Sequence, residues 1–236
     1  MQQDVLKEIV DTLSDIGQKT KLEEKQEYDT LNELFSLLED VGLKVPVSIT
    51  QPDRDNSLVY DRFAGLKFAL LRCSTLILLG AYDASSRELR FILESTLHAY
   101  YLDKEHPEEE LKCKLELIKA TEEKNFGWRL ISKLDLPKEK KEKLYNLYKE
   151  LCKYVHVSYR EMTNEKYIPV FKKDLLKENL HRVVEVLDAC FFILLMRFSN
   201  LKPIFGKKKG PLKNNRFELT LEALKIDSNN HYSEPS

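Results

Sequence analysis

The sequence predicts an all-α protein, an antiparallel helical bundle with an N-terminal helical hairpin, and three observations predict it. Only seven glycines and eight prolines interrupt 236 residues, while Lys, Glu and Leu, which lose little rotamer freedom in a helix, dominate the composition. Apolar residues recur at helical spacing over long segments, and no segment alternates like a long strand. Helix-start signatures recur along the chain. Hydrophobic residues at 42% and charged residues at 33% fit a folded domain with a heavily charged surface. The length suits one main domain with a small appendage.

Val5, Ile9, Leu13 and Ile16 predict a helix over residues 4–18, and the T-x-x-E pattern of Thr20 to Glu23 predicts a capping box opening a second helix over 21–41. Gly42 stands where a helix-terminating glycine belongs, and Pro46, Pro52 and the polar run from Gln51 to Ser57 mark a linker. Residues 1–45 thus form the hairpin and 58–202 the main bundle, with 203–236 a basic, partly disordered extension. A long apolar helix is expected from Leu58 to Gly80. Ser85 to Glu88 makes a second capping box before a helix reaching Asp103. Pro107, followed by three glutamates, opens a helix expected to reach Ser132, since the helix dipole favours acids in the first turn. Pro137 opens another helix, to about Val155, and Ser158 to Glu161 resembles a third capping box. Asp174 can cap a long helix through Asn200 that carries Leu180, Val183, Val184, Leu187 and Phe191 on its core side. Phe217 to Ile226 reads as a short strand or helix, and residues 227–236 as a frayed end.

A net charge of -1 gives no global attraction to nucleic acid or membrane. The run from Lys202 to Arg216 is locally basic, with Lys207, Lys208, Lys209 and Lys213 and no acidic residue. It reads either as a solvated loop or as a phosphate-contacting segment. Cys73, Cys113, Cys152 and Cys190 form no close pair, which implies free thiols in a reducing, cytoplasmic compartment. The five histidines are scattered, so neither a metal nor a cofactor is expected. The N-terminus lacks a signal-peptide pattern, and the longest apolar stretches fall short of the ~20 residues that cross a bilayer. Phosphate-binding glycine loops and the G-x-S-x-G nucleophile turn are absent from the sequence. Trp128 reads as a core residue.

Two groups of residues bear chemistry. Arg87, Arg90, Glu94 and His98 follow one another at helical spacing along one side of a helix. Arg90 and Glu94 form either an ordinary ion pair or a partly buried pair that orients a groove. The segment Lys149 to Ser158, with Tyr159 and Arg160 after it, gathers cations and aromatics around His156. A histidine at a helix end can move a proton near neutral pH, and adjacent cations can hold a phosphate. Its other reading is a histidine bonded to a backbone carbonyl at that end.

Leu79-Gly-Ala-Tyr-Asp-Ala84 followed by Arg90-Phe-Ile-Leu-Glu94, and then Leu-Cys-Lys-Tyr-Val-His156-Val-Ser158 after two intervening helices, resembles the HEPN superfamily of helical domains. The similarity spans about residues 58–200 and points to the abortive-infection-like and uncharacterised prokaryotic branches. It implies a homodimer and a metal-independent ribonuclease site, in which a histidine transfers a proton and an arginine stabilises charge on phosphate. On this resemblance His156 is the proton-transfer residue. Lys149 and Lys153 contact phosphate, Arg90 and Glu94 orient the groove, and Arg160 with Lys207, Lys208 and Lys209 holds the RNA backbone. The sequence departs from the family pattern upstream of the histidine, where the positions open to an arginine hold Lys149, Glu150 and Leu151. Lysine lacks the bidentate fork that arginine offers a phosphate. The alternative is a non-catalytic module of the same fold that binds a protein partner.

Overall fold

The computed structural model describes residues 2–121, 127–134, 136–153 and 171–225, and among these every regular element is helical. α1 (Gln2–Glu23) and α2 (Lys25–Ser48) pack as a hairpin. Its turn lies at Glu24, so the backbone at Thr20 continues α1 and no helix starts there. The reason is tertiary: the Glu24 carboxylate is buried and sits 2.6 Å from Lys173 Nζ. α2 also runs past Gly42, because its apolar stripe of Leu31, Leu34, Leu38, Val41 and Val45 stays buried beyond that point. Pro46 is tolerated in its last turns, and its carbonyl accepts a hydrogen bond from Arg54 Nη1 at 3.1 Å. The linker contains a short helix, α3 (Gln51–Asp55), capped by Thr50.

α4 (Leu58–Leu78) and α5 (Tyr82–Glu105) form the antiparallel centre of the bundle. Gly80, at φ 71°, reverses the chain between them. The Ala81 amide bonds the Leu76 carbonyl at 2.8 Å and the Gly80 amide bonds the Ile77 carbonyl at 3.0 Å, a left-handed helix stop. With the chain turned so early, α5 begins at Tyr82. Ser85 and Ser86 are therefore buried inside the helix instead of capping it. The amino end of α4 is held by a residue from the far end of α5: Asp103 accepts from the Leu58 and Val59 amides, each at 3.0 Å, and from Ser57 Oγ at 2.5 Å.

Of the helix expected from Pro107 to Ser132, the described residues give α6 (Leu111–Thr121), which begins four residues after the proline, and α7 (Gly127–Lys133), and the stretch 122–126 between them lies outside the described residues. α8 (Lys138–Cys152) starts after Pro137 as its proline predicts, and the capping box at Ser158 lies outside the described residues. α9 (Lys173–Arg197) packs on α5, α4 and α2, and it begins one residue before Asp174, which therefore sits in its first turn.

The basic run is a folded segment. A 3-10 turn at Ser199–Leu201 leads to α10 (Lys202–Gly206), α11 (Lys209–Asn214) and α12 (Glu218–Ala223). The apolar residues between its lysines explain why: Phe205, Leu212 and Phe217 are fully buried. Phe191 of α9 meets Phe205 edge-on at 5.1 Å and stacks with Phe217 at 5.5 Å. Burying side chains of this size contributes about 2–3 kcal/mol each. Asp188 fastens the last helix by accepting from the Leu219 amide at 2.7 Å and the Thr220 amide at 2.8 Å.

Candidate functional site

α5, α7 and α8 pack against one another, and their common seam holds the polar cluster that best answers the sequence expectation. α8 buries Leu144, Leu147, Tyr148 and Leu151. An aromatic ring with a polar tip in such a stripe needs a hydrogen-bond partner. Tyr148 finds it on α5, where its hydroxyl donates to Glu94 Oε1 at 2.7 Å. Arg90 Nη2 lies 3.2 Å from both Glu94 Oε1 and the Tyr148 oxygen, and the guanidinium carbon sits 5.4 Å from the Tyr148 ring centre.

Gly127, the first residue of α7, closes this cluster from the third side. A Cβ at that position would stand 2.5 Å from Tyr148 Cε2 and 3.1 Å from Glu94 Cγ, so only glycine lets the backbone come so near. Burial works against the Arg90 charge, but the Glu94 carboxylate and the Tyr148 oxygen outweigh it and hold the guanidinium above its ordinary pKa. Burial, reinforced by the Glu94 carboxylate, raises the Tyr148 phenol well above its usual value. The cluster is thus a fixed cation, anion and phenol. Arg90 Nε is buried without a hydrogen-bond partner among the described residues.

Of the residues singled out in the sequence, Arg90 and Glu94 are brought together. Lys149 lies on α8 one residue beyond Tyr148, a turn of about 100° away, and is exposed outside the cluster. Lys153 bonds Glu150 at 2.6 and 2.8 Å. His156 and Arg160 lie outside the described residues. Lys208 is tied to Asp40 of α2, whose carboxyl is held below its usual range by Lys208 and Lys44. Lys207 and Lys209 are exposed. Tyr148 and Gly127 were missed: the only signal for Tyr148 was its place in the apolar stripe of α8, and nothing local marked Gly127 as a contact.

A second polar group is structural. Asp103 and Lys114, both fully buried, pair at 3.0 Å, and Lys114 also donates to the Asn56 carbonyl at 2.8 Å. Cys73 and Cys190 are buried thiols, pushed up to about 12 by burial, which leaves them unreactive near neutral pH. Among the described residues no group of three or more His, Cys, Asp and Glu side chains is placed to hold a metal ion, and no helix is long and apolar enough to cross a membrane. The chain matches no family model, no curated protein and no solved structure.

Proposed function

We propose that this chain is a HEPN-like helical domain that acts on RNA, with the seam of α5 and α8 as its working face. One observation carries the reading: Arg90 of α5 lies 3.2 Å from the Tyr148 oxygen on α8, the helix that bears Lys149 and Lys153 and leads in sequence to His156. A fixed guanidinium beside a cation-rich helix is suited to a phosphodiester. In this reading Lys149 and Lys153 contact phosphate, His156 transfers the proton, and the Arg90–Glu94–Tyr148 cluster holds α8 in place. Lys207 and Lys209 extend the contact to the RNA backbone. The test is cleavage of single-stranded RNA by the purified protein in EDTA, with His156→Ala alongside. Cleavage that survives chelation and vanishes in the variant supports the ribonuclease; binding without cleavage leaves an RNA-binding module.

The rival reading, a module that binds a protein partner, is favoured by a different surface. Between α2 and α4 lies a groove of about 540 Å³ lined by Leu38, Leu43, Pro46, Tyr60 and Phe63, with Val47 and Phe68 among the most exposed apolar residues nearby on the same two helices. Failure to bind any RNA would turn attention to that groove.

A further inference from the structure

Trp128 contradicts its expected place in the core, for it is 47% exposed at the second position of α7. Exposing an indole forgoes one of the largest burial gains available to a side chain, and on a fixed backbone it leaves a rigid aromatic surface within reach of a ligand. The backbone here is fixed by the residue before it, since Gly127 is pressed against Tyr148 and Glu94. Its neighbour Arg129 lays its guanidinium over the indole, 5.1 Å from the ring centre.

α7 and α8 run antiparallel, with Gly127 meeting Tyr148 and Lys141 Nζ reaching the Ser132 carbonyl at 3.0 Å. That pairing sets the first turn of α7 beside the Tyr145–Tyr148 turn of α8. Tyr145 is 45% exposed there, and Lys149 follows one turn on. Two exposed aromatic residues, Trp128 and Tyr145, and two basic ones, Arg129 and Lys149, therefore lie on neighbouring turns of α7 and α8, beside the turn whose Tyr148 joins the Arg90–Glu94 pair. The acid of that cluster, Glu94, is already engaged by Arg90 and Tyr148.

We infer that Trp128 and Tyr145 form a stacking platform for the bases of single-stranded RNA, with Arg129 and Lys149 taking the adjoining phosphates. Every base has a π-face, so stacking of this kind tolerates sequence but requires unpaired bases, and it selects single strands over duplex. The inference rests on the RNA reading and deepens it by naming the residues that hold the unpaired bases.

Trp128 is the only tryptophan of the chain, so its fluorescence reports on this seam alone. The protein is titrated with oligoadenylate while binding of the same, end-labelled strand is followed by anisotropy. Saturable quenching should track the anisotropy curve. Trp128→Ala and Tyr145→Ala should each weaken binding by about tenfold, whereas Trp128→Phe, which keeps a ring, should weaken it less. Annealing the strand to its complement should weaken binding too. Helical circular dichroism confirms that each variant is folded. Binding without quenching, or a folded Trp128→Ala that binds as tightly as the parent, overturns the platform and leaves the RNA reading standing. No RNA binding by the parent overturns both.

Discussion

The Tyr148 hydroxyl donates to Glu94 Oε1 at 2.7 Å, joining α8 to α5 through a bond that both Arg90 and the approach of Gly127 constrain. Tyr148→Phe should cost about 1 kcal/mol, the usual net value of a hydrogen bond, because Glu94 keeps Arg90. The alkaline limb of stability gives a sharper test. The phenol is raised in the folded state, first by burial and then by Glu94, while an unfolded tyrosine ionises near ~10. Above that pH the unfolded chain loses the proton and the folded one retains it, so stability falls as pH rises toward the folded value. Thermal unfolding followed from neutral to strongly alkaline pH should show a shallower decline in Tyr148→Phe than in the parent. Equal slopes would mean that the phenol is not held neutral by its surroundings.

The legibility of this seam was uneven for a physical reason. Arg90 and Glu94 share one helix, so spacing alone brings them together. Tyr148 and Gly127 come from other helices, and their meeting with α5 depends on how α7 and α8 dock, which periodicity does not encode. The same distinction runs through the fold. Pro137 starts α8 where a local rule says it should, whereas the capping patterns at Thr20 and Ser85 were overridden by the Glu24–Lys173 ion pair and by the Gly80 turn. The basic segment misled most, because its lysines masked the buried Phe205, Leu212 and Phe217.

Gly127→Ala tests the close approach. The added carbon would overlap the Tyr148 ring and press on Glu94, and crowding in a packed site costs about 1–3 kcal/mol. If the ring is the obstacle, combining Gly127→Ala with Tyr148→Ala should cost less than the sum of the two single changes. Urea unfolding of the four proteins measures this, and strict additivity would place the clash elsewhere.

The buried Asp103–Lys114 pair should respond unequally to loss of either partner. Asp103→Ala removes the cap of α4 and leaves the buried Lys114 ammonium with the Asn56 carbonyl but no counter-charge, at a cost of about 3–5 kcal/mol. Lys114→Met leaves Asp103 with the Leu58 and Val59 amides, Ser57 and the Arg197 guanidinium at 3.7 Å, and should cost clearly less. Denaturant midpoints that rank the two in the opposite order would show that the ammonium, not the cap, organises this end of the bundle.

Asp188 joins the C-terminal segment to α9, so Asp188→Ala should raise hydrogen exchange across residues 209–225 ahead of the rest of the bundle. Loss of a capping carboxylate costs about 1–2 kcal/mol. Burial raises the Asp188 carboxyl above its usual value despite the amides. Its contribution is therefore largest below the unfolded carboxylate pKa and declines as pH rises through the folded one. The parent should lose stability over that acidic window in a way that the alanine variant does not.

The three lysines at the junction of α10 and α11 should differ in what they contribute to RNA binding, although the sequence makes them look alike. Lys208 is tied to Asp40, and its ammonium is already compensated. Lys207 and Lys209 are exposed, with no carboxylate partner among the described residues. Each phosphate contact to a single strand adds about 0.7 to the slope of log affinity against log salt. Lys207→Ala and Lys209→Ala should each reduce that slope by about this amount, and Lys208→Ala should leave it nearly unchanged while loosening the contact of the α10–α11 junction with α2. Anisotropy titrations at several salt concentrations distinguish these outcomes. Equal slopes for all three variants would mean that the pairing with Asp40 does not withhold Lys208 from RNA, and no change in any of them would remove the basic segment from the RNA-binding surface.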